Sequence, residues 1–423
     1  MGAVLPSGWE REPLGVFTKI ASGCSPSQMG LADAGSYPFF KVEELNYSDK
    51  YLSRARAYYS KIGDSLQGKF LLLPKRGAAI FLNKLRIYEG TFQVDTNLMA
   101  LGFDERKTFA EFMFYKLTTE GLDKIADTSS VPQINNKHIQ PYIVDLPPLP
   151  EQKKIARILS TVDSKLALID QQITATQTLK KGLMQKLFSE GVGTQDADGK
   201  WLPHTEFKDS ELGRIPAGWE VAKLTTKCST IKDGTHFSPK SKDGPFKYIT
   251  SKNIKFGKMC LTDVAYISED EHNTIFSGSP VKHGDVLLTK DGANTGNAAI
   301  NSVEEEFSLL SSVAYLRGEV EKLENKFLLH LLLSPNSQQM IKSEMAGQAI
   351  TRLTLKKISN FKFAFPPIEE QKEISKILST ADRKLDHLTT QKTQTEHLKK
   401  GLMQKLLTGQ IRVKPDPQDH IQE

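Results

Sequence analysis

The sequence predicts a mixed α/β chain made of two tandem copies of one unit. Each copy is an α+β module of short strands followed by one long helix, and the two helices are expected to pair antiparallel as a coiled coil about a pseudo-twofold internal repeat. Three observations predict this. The nonapeptide LKKGLMQKL occurs at 179–187 and again at 398–406, 219 positions later. The segment leading into each copy carries apolar residues at helical spacing. The rest of each half is broken into brief β-prone runs bounded by Gly, Pro or Asp.

A chain of 423 residues is too long for one ordinary core and implies two to four domains. Hydrophobic content of 39% and charged content of 25% fit a soluble globular protein and exclude disordered or fibrous classes. The net charge of +6 is compatible with a nucleic-acid partner without requiring one. No apolar run approaches the roughly 18 residues of a membrane span, and MGAVLPSGWE is not a signal sequence. Pro6 stands where a myristoylation motif needs Ser or Thr. Cys24, Cys228 and Cys260 are odd in number and far apart, so they read as small buried hydrophobes in a reducing cytoplasm.

The nonapeptide is the end of a longer match. PPLPEQKKIARILSTVDSKLALIDQQITATQTLKKGLMQKL (147–187) aligns without a gap on PPIEEQKEISKILSTADRKLDHLTTQKTQTEHLKKGLMQKL (366–406), with 25 of 41 positions identical. Upstream the same offset sets Ile134 over Leu353, Lys137 over Lys356 and Ile139 over Ile358. The unit starts also match, LPSGWE at Leu5 against IPAGWE at Ile215. Two copies exclude a solenoid. Between these anchors the halves diverge: PFFKVEELN faces PFKYITSKNI, and GKFLLLPKRGAAI at Gly68 faces GDVLLTKDGANTGNAAI at Gly284. A matched frame around unmatched centres is what two different recognition tasks require.

After each Pro-Pro stop the apolar stripe runs through Ile155, Leu159, Val162, Leu166, Ile169 and Ile173, and through Ile374, Leu378, Ala381, Leu385 and Leu388, with Leu179, Leu183, Leu187, Leu398, Leu402 and Leu406 continuing it. About 38 residues at 1.5 Å rise make a helix near 57 Å, too long to pack only on its own module, which favours antiparallel pairing of the two over the alternative of two separate amphipathic helices each closing its own module. Thr176, Thr395 and Lys392 dilute the stripe and predict looser packing or a polar contact at mid-helix. Further helices are expected at 106–124 and 322–345. EGVGTQDADGKW, rich in Gly and Asp, reads as part of a linker. The expected domains are 1–146, helix 147–190, linker 191–214, 215–365, helix 366–410 and a tail 411–423.

A search for chemistry finds none. GDSLQGKF at Gly63 has phosphate-loop spacing, but Phe70 replaces the magnesium-ligating Ser or Thr and the motif precedes a strand. DGANTG follows a strand without G-x-G-x-x-G and reads as a turn or DNA-facing loop. The Asn-Pro-Pro-aromatic segment of adenine methyltransferases, metal-binding histidine spacings and a nucleophile elbow are all missing from the sequence. The chain is therefore read as non-catalytic, with no metal site.

At PPLPEQKKIARILS, LKKGLMQKL, SELGRIPAGWE and GDVLLTKDGANTG the sequence resembles the specificity subunit of type I restriction-modification enzymes, over almost its whole length. The first half departs slightly, with LLLPKRGAAI for the usual GD-led segment and no SELG lead-in. The resemblance implies that 1–146 and 215–365 are target-recognition domains, each reading one half of a split, asymmetric double-stranded DNA site. It implies that the helices are spacers docking two methyltransferase (modification) subunits, which two restriction (translocase/nuclease) subunits can join in a phage-defence system. S-adenosylmethionine, ATP and Mg would then act on the partner subunits in adenine-N6 methylation, and none would bind this chain.

Phosphate contacts come from Lys and Arg, and base reading from side chains such as Arg for guanine and Asn for adenine. The candidates are Arg54, Arg56, Lys75, Arg76 and Lys84 in the first half, and Lys232, His236, Lys247, Lys252, Asn253, Lys290 and Asn294 in the second. Lys180, Lys181, Lys399 and Lys400 repeat with the helices and suit partner docking or a helix end. Two competing readings are a coiled-coil scaffold that binds proteins instead of DNA, and the recognition part of a single-chain methyltransferase-nuclease; the second is disfavoured by the missing catalytic motifs.

Overall fold

The computed structural model describes residues 5–60, 63, 65–128, 130–345 and 352–417. The first four residues of MGAVLPSGWE, Asp64 of GDSLQGKF and the last six tail residues lie outside that set. The chain forms two compact units, Met1–Asp170 with Thr390–Glu423, and Gln171–Thr389.

In the first unit six strands make one sheet: β1 (Thr18–Ser22), β2 (Tyr37–Phe40), β3 (Ala57–Tyr59), β4 (Leu66–Pro74), β5 (Arg86–Val94) and β6 (Leu98–Phe103), in the order β1-β6-β4-β5-β2-β3. All pairs are antiparallel except β2 with β5. Residues alternate between its faces. Leu71 and Leu73 pack with Phe112, Tyr115 and Leu117 of helix α1 (Ala110–Glu120), while Phe70 and Leu72 pack with Phe40, Phe92 and Val94 on the other face. Gln67 to Phe70 of the phosphate-loop-like motif lie in β4, and Lys69 pairs with Glu89 and Glu111 at 3.2 and 3.1 Å.

The second unit uses the same strand order but divides it. Strands β7 (Cys228–Asp233), β10 (Val286–Thr289), β11 (Ala298–Ile300) and β13 (Val313–Gly318) form one sheet, ordered β7-β13-β10-β11. Strands β8 (Phe246–Ile249), β9 (Ala265–Ile267) and β12 (Ser308–Leu309) form a second, with β8 central. What is one strand in the first unit, β5, is here the separate β11 and β12. The helix expected at 322–345 is two, α3 (Asn325–Leu333) and α4 (Pro335–Met345), because Pro335 is suited to start a helix and not to continue one.

The long helices are α2 (Leu149–Leu187) and α5 (Ile368–Leu406). Their identical Glu-Gln starts are explained by matching contacts. Gln152 Nε2 donates to Lys107 O and Pro147 O while its Oε1 accepts from Phe109 N, and Gln371 does the same with Lys322 O, Pro366 O and Glu324 N. Each glutamine thus ties the long helix to the segment that opens its module's helix. In the first unit Ile155 and Leu159 are fully buried in the core shared with Phe112 and Tyr115; in the second, Ile374 and Leu378 pack with Leu328, Leu332 and Met184. Ile169 and Leu388 are also buried, whereas Val162, Leu166 and Leu385 are half-buried. Within the first unit Asp163 pairs with Lys399 at 2.7 Å and Asp170 with Lys392 at 2.6 Å, so the helix segments there run antiparallel. The Lys392 pair and buried Thr395 are the polar contact expected from the diluted stripe. Leu179 and Leu398 differ from expectation: they are 60% and 53% exposed, on the side of the helix away from the core.

The 191–214 segment is ordered rather than a loose tether. It forms two hairpins, Thr194–Gln195 with Trp201–Leu202 and Phe207–Ser210 with Gly213–Pro216. Buried Glu370 holds its start, accepting hydrogen bonds from the backbone N–H of Val192 and Gly193 at 2.9 and 3.1 Å.

Candidate nucleic-acid interface

In both units a backbone crossing lies at one end of the sheet. The chain leaving β1 passes so close to the chain leaving β5 that a Cβ on Gly23 would lie 1.8 Å from the Asp95 carbonyl oxygen. The chain leaving β7 makes the same crossing, with a Cβ on Gly234 falling 2.0 Å from the Leu309 carbonyl oxygen. Only glycine permits these approaches. Next to each crossing a central strand ends in a matched turn. Lys75 N donates to Asn97 O at 2.8 Å and Ile134 N to Lys75 O at 2.9 Å; Lys290 N donates to Ser312 O at 2.9 Å and Leu353 N to Lys290 O at 2.8 Å. This pattern sets Lys75-Arg76-Gly77 over Lys290-Asp291-Gly292, one residue from the register obtained by aligning Gly68 with Gly284. Both turn glycines are left-handed, at φ 81° and 92°.

On the second unit's crossing several candidate residues come together. Asn294 Nδ2 donates to Ser251 O at 3.5 Å, placing its loop beside exposed Lys252. His236 is exposed, with Nε2 3.6 Å from Asp233 Oδ1. Lys290 is placed otherwise than expected for a surface cation: it is 1% exposed and paired with Asp233 at 3.3 Å and Asp291 at 3.0 Å. Asn253 is also buried, its amide donating to Cys260 O and Asp263 O and its carbonyl accepting from Thr250 N, so it closes a loop from inside. Lys232 is exposed at the edge of β7, and Lys247 pairs with Glu305 at 3.6 Å.

The first unit divides its candidates. Lys75 and Arg76 sit at the crossing, Arg76 exposed and Lys75 with its pKa lowered by burial. Arg54, Arg56 and Lys84 gather around 43–47. Arg54 stacks on Tyr47 with its guanidinium 5.0 Å from the ring centre, Arg56 is tied to Glu44 at 2.9 Å, and Lys84 bonds Asn46. The Glu44 bond raises the Arg56 pKa. Arg54 on its aromatic platform is thus an exposed guanidinium whose only described contact is a ring, while Arg56 is partly neutralised.

Residues the sequence reading missed are Asp233, Gln133 and Arg352. Arg76 and Gln133 form an isolated antiparallel bridge, and so do Asp291 and Arg352. The signal was available: Gln133 and Arg352 are 219 apart and each precedes one of the aligned anchors Ile134 and Leu353. Among the described residues no group of three or more His, Cys, Asp or Glu is placed to hold a metal, and no helix is long and apolar enough to cross a membrane.

Two copies of one backbone frame, carrying different side chains at the same crossing, define a duplicated two-module protein of mixed α/β fold. The family profile described as the type I restriction modification DNA specificity domain matches residues 6–177 and again 216–397, and the chain belongs to that family. The MjaVIII type I restriction enzyme specificity subunit of Methanocaldococcus jannaschii is 29% identical over 425 residues, covering 98% of this chain and 95% of that protein. The EcoBI specificity subunit of Escherichia coli is 25% identical over 304 residues, 68% of this chain and 62% of that one. In fold, the crystal structure of the type I restriction-modification S subunit from M. genitalium is similar with a TM-score of 0.56 at 15% identity, over 94% of this chain and 96% of that one.

Proposed function

We propose that this chain is the DNA sequence-recognition subunit of a type I restriction-modification complex. Each module reads one half of a bipartite asymmetric double-stranded site, and the long helices hold two methyltransferase subunits, which restriction subunits can join. The observation that carries this reading is the repeat of the backbone frame with its side chains changed, alongside helix residues that repeat unchanged although none of the described residues buries them. Leu179 and Leu398, Lys181 and Lys400, and Gln185 and Gln404 are exposed and identical. Packing does not constrain an exposed side chain, so identity there supports one kind of partner docking twice. Divergence at the crossings supports two different DNA blocks.

The chain itself performs no chemistry on this reading. S-adenosylmethionine, ATP and Mg act on the partner subunits, methylation falls on adenine N6, and the complex works in the cytoplasm. A scaffold that binds only proteins would not need salt-sensitive DNA affinity, whereas phosphate contacts impose it. Methylome sequencing of cells carrying this chain and its methyltransferase is expected to yield two short unlike blocks separated by an unread gap, and a continuous or palindromic motif would sink the proposal. Leu179→Glu with Leu398→Glu is expected to abolish co-purification with the methyltransferase while leaving the thermal melting of the chain within about 1 °C, as surface substitutions commonly do.

A further inference from the structure

The matched crossings identify which side chains read the bases, an inference that rests on the DNA-recognition reading above. In each unit a central strand is followed directly by Lys-x-Gly, and the x residue is bridged to the residue just before a buried anchor: Arg76 to Gln133 before Ile134, and Asp291 to Arg352 before Leu353. The lysine and glycine are the same in both units, and the anchor is a buried aliphatic residue in each. The two bridged positions between them differ, and they carry Arg and Gln in one unit, Asp and Arg in the other.

The second pair is an arginine ion-paired to a buried carboxylate oxygen. Asp291 Oδ1 lies 3.1 Å from Arg352 Nε, and its Oδ2 lies 3.0 Å from the Lys290 ammonium, which is itself held by Asp233. The Asp233–Lys290–Asp291 chain is anchored by a lysine that is 1% exposed, so the carboxylate facing Arg352 is fixed. Arg352 remains 48% exposed. A guanidinium carries its donors in one rigid plane, and the ion pair with a fixed carboxylate localises that plane, which is the geometry that bidentate recognition of guanine O6 and N7 uses. In the first unit Arg76 is exposed and Gln133 is half-buried beside it, side chains that suit guanine and adenine respectively.

We propose that Arg76–Gln133 and Asp291–Arg352 are the base-reading pairs of the two modules, Arg352 reading a guanine in the second module's block and Arg76 with Gln133 reading a guanine and an adenine in the first module's block. Lys290 and Asp233 position Arg352 and touch no base.

The test uses the full chain assembled with its methyltransferase, reading the methylated motif by long-read sequencing and the initial methylation rate on matched and singly substituted duplexes. Arg352→Ala is expected to make one guanine position degenerate in one block, leaving the other block and the gap unchanged. The rate preference for that guanine, about tenfold or more in the parent complex, should then vanish. Arg352→Lys keeps the charge but not the planar fork, so it should fail to restore the preference. Full restoration by lysine would mark a phosphate contact and overturn the proposal. Should Arg352→Ala not assemble, Arg352→Gln is expected to move the preference from guanine to adenine at that position, and an unchanged motif overturns the proposal. Arg76→Ala is expected to relax one guanine position in the other block only. A parent complex with no bipartite motif defeats the DNA-recognition reading itself, whereas a bipartite motif that these variants leave intact defeats this inference alone.

Discussion

Asp163 and Lys399 form an ion pair of 2.7 Å, and their repeat equivalents exchange helices: Asp382, which matches Asp163, pairs with Lys180, which matches Lys399. One aspartate in each helix therefore meets the first lysine of LKKGLMQKL. In the first unit Asp163 also accepts a hydrogen bond from the hydroxyl of buried Tyr115 on α1, whose neighbour Ser160 bonds Lys50 at 2.6 Å. In the second unit His330 of α3 takes the place of Tyr115, with Nε2 3.1 Å from Ser379 and Nδ1 3.7 Å from Asp382. The repeated Leu-Ser-Thr-x-Asp segment is thus a fixed socket that accepts a different side chain from each module. A double-mutant cycle on Asp163→Asn and Lys399→Met, read by chemical denaturation, should return a coupling of about 0.5–1 kcal/mol, as expected for a partly exposed pair. Asp163→Ala should cost more, about 2 kcal/mol, because it also strips the Tyr115 hydroxyl of its acceptor. Equal losses from both replacements would show that the Tyr115 bond contributes nothing.

His330 makes the second unit sensitive to mild acid. Burial pushes its pKa down to about 4, against the pull of Asp382, so it is neutral in the folded chain at neutral pH. The unfolded imidazole takes up a proton near pH 6.5, and the folded one resists until about pH 4. Between those values the unfolded state binds more protons, so stability is lost as pH falls through this window, at a rate approaching roughly 1.4 kcal/mol per pH unit from this group alone. His330→Gln removes the titration. The stability difference between parent and variant should be flat above pH 7 and change steadily from pH 6.5 to 4.5; a difference independent of pH would refute the assignment.

The helices were legible in the sequence because their constraints are local and periodic. The Pro-Pro stop, the three-and-four spacing and the absence of proline place the starts within two residues of Leu149 and Ile368, whereas the expected ends at 190 and 410 overrun Leu187 and Leu406 by three and four residues. The stripe misassigned Leu179 and Leu398, since spacing alone does not tell a leucine facing a core from one facing outward. The candidate site was only partly legible. Lysine and asparagine in a loop look alike whether exposed or not; Lys290 pairs with the distant Asp233 as well as with its neighbour Asp291, and Asn253 is closed over by backbone carbonyls seven and ten residues on. Gln133 and Arg352 were hidden for the opposite reason: each belongs to the site through a backbone bridge to a strand end about 60 residues away, and no local pattern marks such a bridge.

Glu370 is expected to be among the costliest single positions of the second unit. Besides the two backbone N–H groups, its carboxylate lies 3.0 Å from His204 Nε2 and accepts from the Trp219 indole N–H at 2.9 Å, all in a buried setting. Glu370→Ala leaves those groups without their acceptor and should cost about 3 kcal/mol or more. Hydrogen exchange at the amides of Val192 and Gly193 should accelerate with it. Trp219→Phe removes one donor and keeps the ring, so about 1 kcal/mol is expected. A Glu370→Ala chain with parent-like amide protection would show that the hairpins hold themselves without the clamp.

Gly234 tests whether the crossing is needed for the site and not only for the fold. An added Cβ would meet backbone atoms, the Leu309 carbonyl oxygen at 2.0 Å and its carbon at 2.2 Å, so the strand ends must separate. The cost is expected to exceed about 3 kcal/mol, in the range of severe overpacking. Because Thr235 N bonds Leu309 O and Ser311 N bonds Thr235 O across this point, separation also displaces Ser312, to which the Lys290 backbone is tied. Gly234→Ala should therefore weaken the second block of the methylated motif while the first block is read normally, at temperatures where the chain remains folded by circular dichroism. The control is Gly218→Ala, where a Cβ meets nothing within 4 Å, and it should leave both stability and motif at parent values. Loss of both blocks together in Gly234→Ala would mean that the modules do not read independently.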